Sequence, residues 1–191
     1  MSPPEPGRAP GRAPGRASGR GRTTGLRPLE AADAAAVQAI YGPRAVRWLP
    51  RPPMDRRQAE AWLNRHLRDR PGPWRLVSWG VTAGTQDELI GVIRLIRRAR
   101  YAAEISCILR EDTWGRGHGT RAIRAVLPRA FDDLDLIILK ARHHPANAPA
   151  RRVLATTGFV LRDATPDLVT CLHTRGAWQA VTDPWSALLP G

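Results

Sequence analysis

The sequence predicts an α/β or α+β fold, one sheet layered with helices, and three observations carry that reading. From Tyr101 onward, extended and helical patterns follow one another in the order β-α-β-α-β-β, after two helices and a hairpin. Hydrophobic residues make up 42% of the chain, enough for a core, and the 25% of charged residues is that of an ordinary soluble protein. A length of 191 residues fits one domain with a tail.

Residues 1–25 repeat a GRAP-type tetrapeptide almost without change, and Met1 is their one large apolar residue. Such a segment cannot offset its ordering entropy by burial and is predicted to be disordered. It reads as a solvated tail, with a nucleic-acid-binding arm as the alternative. Leu26 to Leu29 can form a short strand, and Asp33 begins an alanine-rich helix to about Tyr41. The four prolines between Gly42 and Met54 predict a loop, and Asp55 to about Arg68 a second helix with Ala59, Trp62, Leu63 and Leu67 on one face. Strands over Arg75–Val81 and Leu89–Ile96 flank a polar turn from Gly84 to Glu88, the pattern of a hairpin.

A further strand, Tyr101–Leu109, places Glu104, Ser106 and Ile108 on one face and Ala103, Ile105, Cys107 and Leu109 on the other. The helix Gly117–Phe131 buries Ala122, Ile123, Val126, Leu127, Ala130 and Phe131, with Pro128 expected to bend or shorten it. An apolar strand over Leu134–Lys140, a helix over Pro149–Thr157 and strands near Phe159–Asp163 and Leu168–His173 complete a domain placed at residues 26–175. Residues 176–191, with Trp178 and Trp185, form a C-terminal extension to which no element is assigned.

Basic residues number 30 against 17 acidic ones, a net charge of +13, and Lys140 is the only lysine. The tail holds five arginines and one glutamate, so the body is basic by itself. That favours an anionic ligand or partner and counts against a strongly cationic substrate. Cys107 and Cys171 lie far apart without a CxxC spacing, which fits a reducing compartment. No apolar run approaches the roughly 18 residues of a membrane-spanning helix, and the N-terminus lacks the apolar stretch of a secretory signal. The expected location is the cytoplasm, with no membrane partner. His143 and His144 have no third ligand at suitable spacing, so no metal site is expected.

The most informative stretch is Trp114-Gly115-Arg116-Gly117-His118-Gly119-Thr120, between a strand and a helix. Glycines at a helix start let the backbone approach a bound group and present free N–H donors to it. A pyrophosphate suits that turn; a glycine-rich connection without a ligand is the other reading. The P-loop pattern is excluded because no Gly-Lys pair exists, and the dinucleotide fingerprint fails at Thr120.

This run, followed by Ala122, resembles the acetyl-CoA pyrophosphate motif of GNAT acetyltransferases, with Gly117 and Gly119 matching and Trp114 where Gln or Arg is usual. The Trp-Gly pair is similar to the branch of ribosomal-protein N-terminal acetyltransferases (RimJ/RimL-like). Leu26-Arg27-Pro28-Leu29 opens the domain as that family does, and Ala103-Glu104-Ile105 and Asn147 with Val153-Leu154 and Gly158-Phe159 resemble further segments of the branch, in order, over about residues 26 to 175. The resemblance implies the GNAT acyltransferase fold, a central mixed, mostly antiparallel sheet with helices on both faces. It implies acetyl-CoA, with pantetheine along the backbone of Ile108-Leu109-Arg110, the pyrophosphate on Trp114, Gly115, Arg116, Gly117, His118, Gly119 and Thr120, and Asn147 in contact. Arg110, Arg116, Arg121 and Arg151 are candidates for its phosphates.

Acetyl transfer to an amine needs a base, and Glu104, sharing a face with Ser106, is the candidate, acting directly or through water. The alternative is an ion-paired glutamate, with Arg94 on the neighbouring strand as partner. Where many relatives carry a tyrosine near the thiolate this chain has Leu154, and where the branch often has a serine it has Ala150. His143, His144 or Cys171, or water and backbone dipoles, are left to supply the proton. Asn147 also reads as a helix N-cap ahead of Pro149. The expected partner is an amine acceptor, a protein N-terminus or a small molecule, with the protein a monomer or homodimer and nucleic acid engaged only through the tail. Two other classes remain: a GNAT-shaped domain that binds acyl-CoA without catalysis, and a nucleic-acid-associated protein.

Overall fold

The computed structural model of the protein describes residues 24–68, 76–84 and 87–183. The predicted tail up to residue 23, Arg75, Thr85, Gln86 and the end of the extension with Trp185 lie outside the described residues.

The strands β1 (Thr24–Arg27), β2 (Val77–Ala83), β3 (Glu88–Ala99), β4 (Ala102–Leu109), β5 (Ile138–His143), β6 (Val160–Ala164) and β7 (Val169–Thr174) form one sheet. Their order is β1-β2-β3-β4-β5-β7-β6. Every pairing is antiparallel except β4 with β5. The helices are α1 (Ala34–Ile40), α2 (Pro43–Val46), α3 (Arg56–Arg68), α4 (His118–Pro128), α5 (Ala148–Thr156) and α6 (Arg175–Thr182).

Both faces of the sheet are covered, because its long strands are apolar on both sides. Ile93, Ile105 and Leu139 pack with Ala122, Val126 and Phe131 beneath α4. Leu89 and Val92 pack with Val37, Ile40, Trp62 and Leu63 beneath α1 and α3. The mixed, mostly antiparallel sheet with helices on both faces is therefore present.

Several boundaries differ from the sequence reading. The first strand begins at Thr24, pairing with Ala83, and ends at Arg27. Pro43 sits in the first turn of α2, where its missing N–H is harmless, so the proline-rich loop holds a short helix. Leu67 is 43% exposed and does not join the buried face of α3. α4 ends at Pro128 and runs into a π-helical turn, Arg129–Asp133. That turn takes the amides of Leu134 and Leu136 onto the carbonyls of Arg129 and Ala130, so β5 starts at Ile138 and not at Leu134. The extension begins with α6, whose Trp178 stacks on Phe131 at 6.3 Å.

Candidate active site

The ladder between β4 and β5 runs only from Ala102 to Ile105, against Ile138 to Ala141. β4 stays paired with β3 as far as Leu109, and β5 stays paired with β7 to His143, so β4 and β5 part beyond Ile105. The Arg110 N–H donates to the Ile90 carbonyl at 2.8 Å, on the β3 side. Alternation then turns the peptide groups of Cys107 and Leu109 toward the gap, while those of Ile108 face β3. The Arg110 carbonyl is taken by the Thr113 N–H at 3.1 Å and hydroxyl at 2.6 Å. This corrects the expected backbone contact at Ile108 and Arg110. The Leu109 carbonyl accepts the Trp114 indole N–H at 2.9 Å, which pins Trp114 at the strand end. Gly91 of β3 permits the close approach here: a Cβ on it would lie 2.6 Å from the Ile108 carbonyl oxygen.

The glycine turn follows. Gly117 is the N-cap of α4 in the left-handed region at φ 78°, where a side chain is strained. The first intrahelical bond is Arg121 N–H to Gly117 O at 3.1 Å, so the amides of His118, Gly119 and Thr120 have no intrahelical acceptor. Arg121 braces the turn from behind, with Nη2 on the Arg116 carbonyl at 2.6 Å and Nε on Thr24 Oγ1 at 2.8 Å. Arg121 is thereby half-buried and engaged, whereas Arg116 and Arg151 are exposed. Arg110 is also engaged: it holds Asp112 at 2.6 and 2.9 Å and Glu88 at 2.7 Å. Those carboxylates raise its pKa. As a side-chain phosphate ligand Arg110 is therefore already occupied. His118 points inward, 2% exposed, with Nδ1 on Thr24 Oγ1 at 2.8 Å, so only its backbone faces the turn. Asn147 caps α5, accepting the Ala150 N–H at 3.2 Å.

The other face of β4 carries the candidate base. Glu104 lies opposite Ile96, and Arg94 lies opposite Ser106, so the expected Glu104–Arg94 pair does not form. Arg142 on β5 instead grips both oxygens of Glu104 at 2.7 and 2.8 Å, and Arg98 adds a contact at 3.3 Å. Ser106 is exposed beside it. The segment between α1 and α3 closes over this face. Trp48 stacks on His144 at 4.7 Å, and Arg51 lies over the Tyr41 ring at 4.7 Å. Arg44 of α2 pairs with Glu111 just past β4. Tyr41 and Ser78 were not singled out from sequence as site residues; the end of α1 brings Tyr41 here, and the β2–β3 register brings Ser78. His143 and Cys171 are buried, and burial lifts the half-buried Cys107 thiol to about 12. Among the described residues no three His, Cys, Asp or Glu side chains come together as metal ligands.

The gap between two parallel strands thus opens beside a helix whose N-cap is a left-handed glycine. Residues 24–160 match the acetyltransferase (GNAT) domain, and the chain belongs to that family. Over 84 residues it is 36% identical to the probable N-acetyltransferase YjcK of Bacillus subtilis (strain 168), covering 42% of this chain and 46% of that one. Over 83 residues it is 30% identical to the uncharacterized N-acetyltransferase p20 of Bacillus licheniformis, covering 40% and 47%. The chain thus spans just under half the length of these relatives. A GNAT-family acetyltransferase from Bacillus anthracis superposes with a TM-score of 0.71 at 17% identity, over 80% of this chain and 95% of that one. Spermidine N-acetyltransferase from Vibrio cholerae, in complex with CoA and spermine, gives 0.69 at 20% identity, over 81% and 97%. At these identities the likeness is one of fold. No helix among the described residues is long and apolar enough to cross a membrane.

Proposed function

We propose that the protein is an acetyl-CoA-dependent N-acetyltransferase acting on a primary amine, in the cytoplasm. The observation that carries the reading is the β4–β5 gap opening beside the amide-lined start of α4, in a chain of the GNAT family. The relatives named N-acetyltransferases support the reaction, and the CoA bound in the Vibrio cholerae structure supports the co-substrate. The Trp114-Gly115 pair, the Ala103-Glu104-Ile105 strand and the Asn147 segment support the ribosomal-protein branch.

The residues fit acetyl-CoA. The N–H of Leu109 and both peptide groups of Cys107 face the gap and suit the amides of a pantetheine arm. The free amides of His118, Gly119 and Thr120 suit phosphate oxygens at the positive end of the helix dipole, with Arg116 and Arg151 at the rim. When bound, acetyl-CoA supplies an activated acetyl thioester. Glu104, held in place by Arg142 and Arg98, takes the amine proton through a water, with Ser106 next to it on the same face. Leu154 and Ala150 offer no proton for the leaving sulfur, and Leu154 is buried in the core.

Calorimetry with acetyl-CoA, together with thiol release from acetyl-CoA over a panel of amines, tests the reading. The expected result is micromolar-range binding and turnover of at least one acceptor. Binding without thiol release from any amine would leave an acyl-CoA-binding domain that does not catalyse.

A further inference from the structure

The acceptor side of the sheet carries four buried donor atoms that lack acceptors. Trp79, Ile93 and Ile105 point into the core beneath α4, so alternation puts Ser78, Arg94 and Ser106 on the opposite face. The register aligns these three as one row across β2, β3 and β4. Ser78 Oγ and Arg94 Nε are buried without a hydrogen-bond partner. So are Arg51 Nε and Trp48 Nε1, on the segment that closes over the same face. Tyr41 ties the groups together. Burial pushes its phenol above the ordinary value, while the charge of Arg94, a hydrogen bond from Arg94 and the charge of Arg51 pull against that push. Arg94 thus keeps Nε free while another of its donors engages Tyr41.

A buried donor atom without an acceptor is costly unless a ligand completes it. The carboxylates on and just after β4 do not, because Glu104 is held by Arg142 and Arg98, and Glu111 by Arg44. What the site lacks is oxygen acceptors and negative charge. A polyamine would bring more donors and positive charge into the same space.

Building on the activity proposed above, we infer that the acceptor is a small primary amine bearing an oxyanion, a carboxylate or a phosphate, which Arg94 and Arg51 clamp while Ser78 and Trp48 donate to it. The planar guanidinium fork suits either anion bidentately. Anchoring the oxyanion on this row leaves the amine to reach Ser106 and the Glu104 side of β4. The amide C–N bond forms as the thioester C–S bond breaks, with one proton leaving the amine nitrogen and one taken up by the sulfur.

The test uses the full chain with 3-aminopropanoate, its methyl ester, 2-aminoethyl phosphate, spermidine and a tetrapeptide with a free N-terminus and an amidated C-terminus. Thermal unfolding without acetyl-CoA reads binding, and thiol release reads turnover. At least one of the two oxyanion amines should raise Tm and be used at least about tenfold better than the ester, spermidine or peptide, the difference between the two telling carboxylate from phosphate. The Arg94→Gln, Arg51→Gln double variant should lose both effects while binding acetyl-CoA as before. Arg94→Lys, which keeps the charge without the fork, should lose most of the preference and guards against a double variant that does not fold. The melting arm stands without turnover, so a chain that binds oxyanion amines but never releases thiol overturns the proposed activity and not this assignment. A preference for spermidine, the ester or the peptide, or an oxyanion preference undiminished in the variants, overturns it.

Discussion

At Gly117, one backbone dihedral links the sequence to ligand binding. Its φ of 78° strains any side chain, and a Cβ there would lie 2.9 Å from Arg121 Nη1, the brace of the turn. Gly117→Val should therefore weaken acetyl-CoA binding by at least about tenfold and lower stability by about 1–2 kcal/mol. Unchanged affinity in the folded variant, read by calorimetry, would remove the turn from the site. Gly119 behaves differently, since a Cβ there meets Leu109 and Val153 at an ordinary 3.6 to 3.7 Å, so the crowding argument belongs to Gly117. At Glu104, the carboxylate is both ion-paired and placed to serve as base. Glu104→Gln keeps the shape and removes the basic function. It should lower kcat about a hundredfold, leave acetyl-CoA affinity intact, and recover in part at high pH, where the amine deprotonates unaided. Activity equal to the parent at every pH would assign Glu104 a structural role alone.

At the scale of elements, β1 is joined to α1 by a compact pair between half-buried Arg27 and buried Asp33. Arg27 holds Asp33 at 2.7 and 2.8 Å, and Asp33 also accepts the Glu30 N–H at 2.8 Å. Burial pushes the Asp33 carboxyl up, but the Arg27 and Glu30 hydrogen bonds outweigh it and hold the pKa below its ordinary value. A depressed carboxyl stabilises the fold above its unfolded pKa, and that contribution is lost as pH falls through the folded value. Asp33→Asn should destabilise the protein by about 1–3 kcal/mol at pH 7, and the deficit in urea unfolding should shrink only at strongly acidic pH. A deficit unchanged across that range would deny the ion pair its role. Pairings of this kind mark the limit of what could be read beforehand. Element order, the glycine turn and the Asn147 cap were legible because local spacing and single-residue conformation determine them. The start of β5 was not, because Leu134 and Leu136 look extended but their amides close the π-helical turn. The partner of Glu104 was missed for a related reason: which residue faces which across strands is set by register, and no single strand contains that information. The row of Ser78, Arg94 and Ser106 escaped sequence reading on the same ground.

For the molecule as a whole, two buried imidazoles join distant parts of the chain and should make the fold sensitive to mild acid. His118 holds the start of α4 against β1 through Thr24. Arg121 can only donate to the Thr24 oxygen, so the Thr24 hydroxyl proton is free for His118 Nδ1, which must then be unprotonated. Burial lowers the His118 pKa, and the charges of Arg121 and Arg116 lower it further. His173 on β7 lies between Phe131 and Phe159, each at 5.3 Å. Burial lowers its pKa as well, against a smaller opposing pull from the Thr174 carbonyl. In the unfolded chain both rings take up a proton near pH 6.5, while the folded protein resists until lower pH. The unfolded state therefore binds more protons over that window, and stability falls as pH drops below about 6.5. Asp33 and Asp112, whose pKa values are held below the ordinary carboxylate range, do not act until the pH is lower still, so the interval from pH 7 to pH 5 isolates the imidazoles. Urea midpoints measured across it should decline in the parent. The decline should flatten in a His118→Gln, His173→Leu double variant, in which glutamine can still bond Thr24 and leucine keeps the apolar contact with Phe131 and Phe159. A parent whose midpoint is level over this interval would mean that both rings charge as easily folded as unfolded, and their burial would then need another explanation.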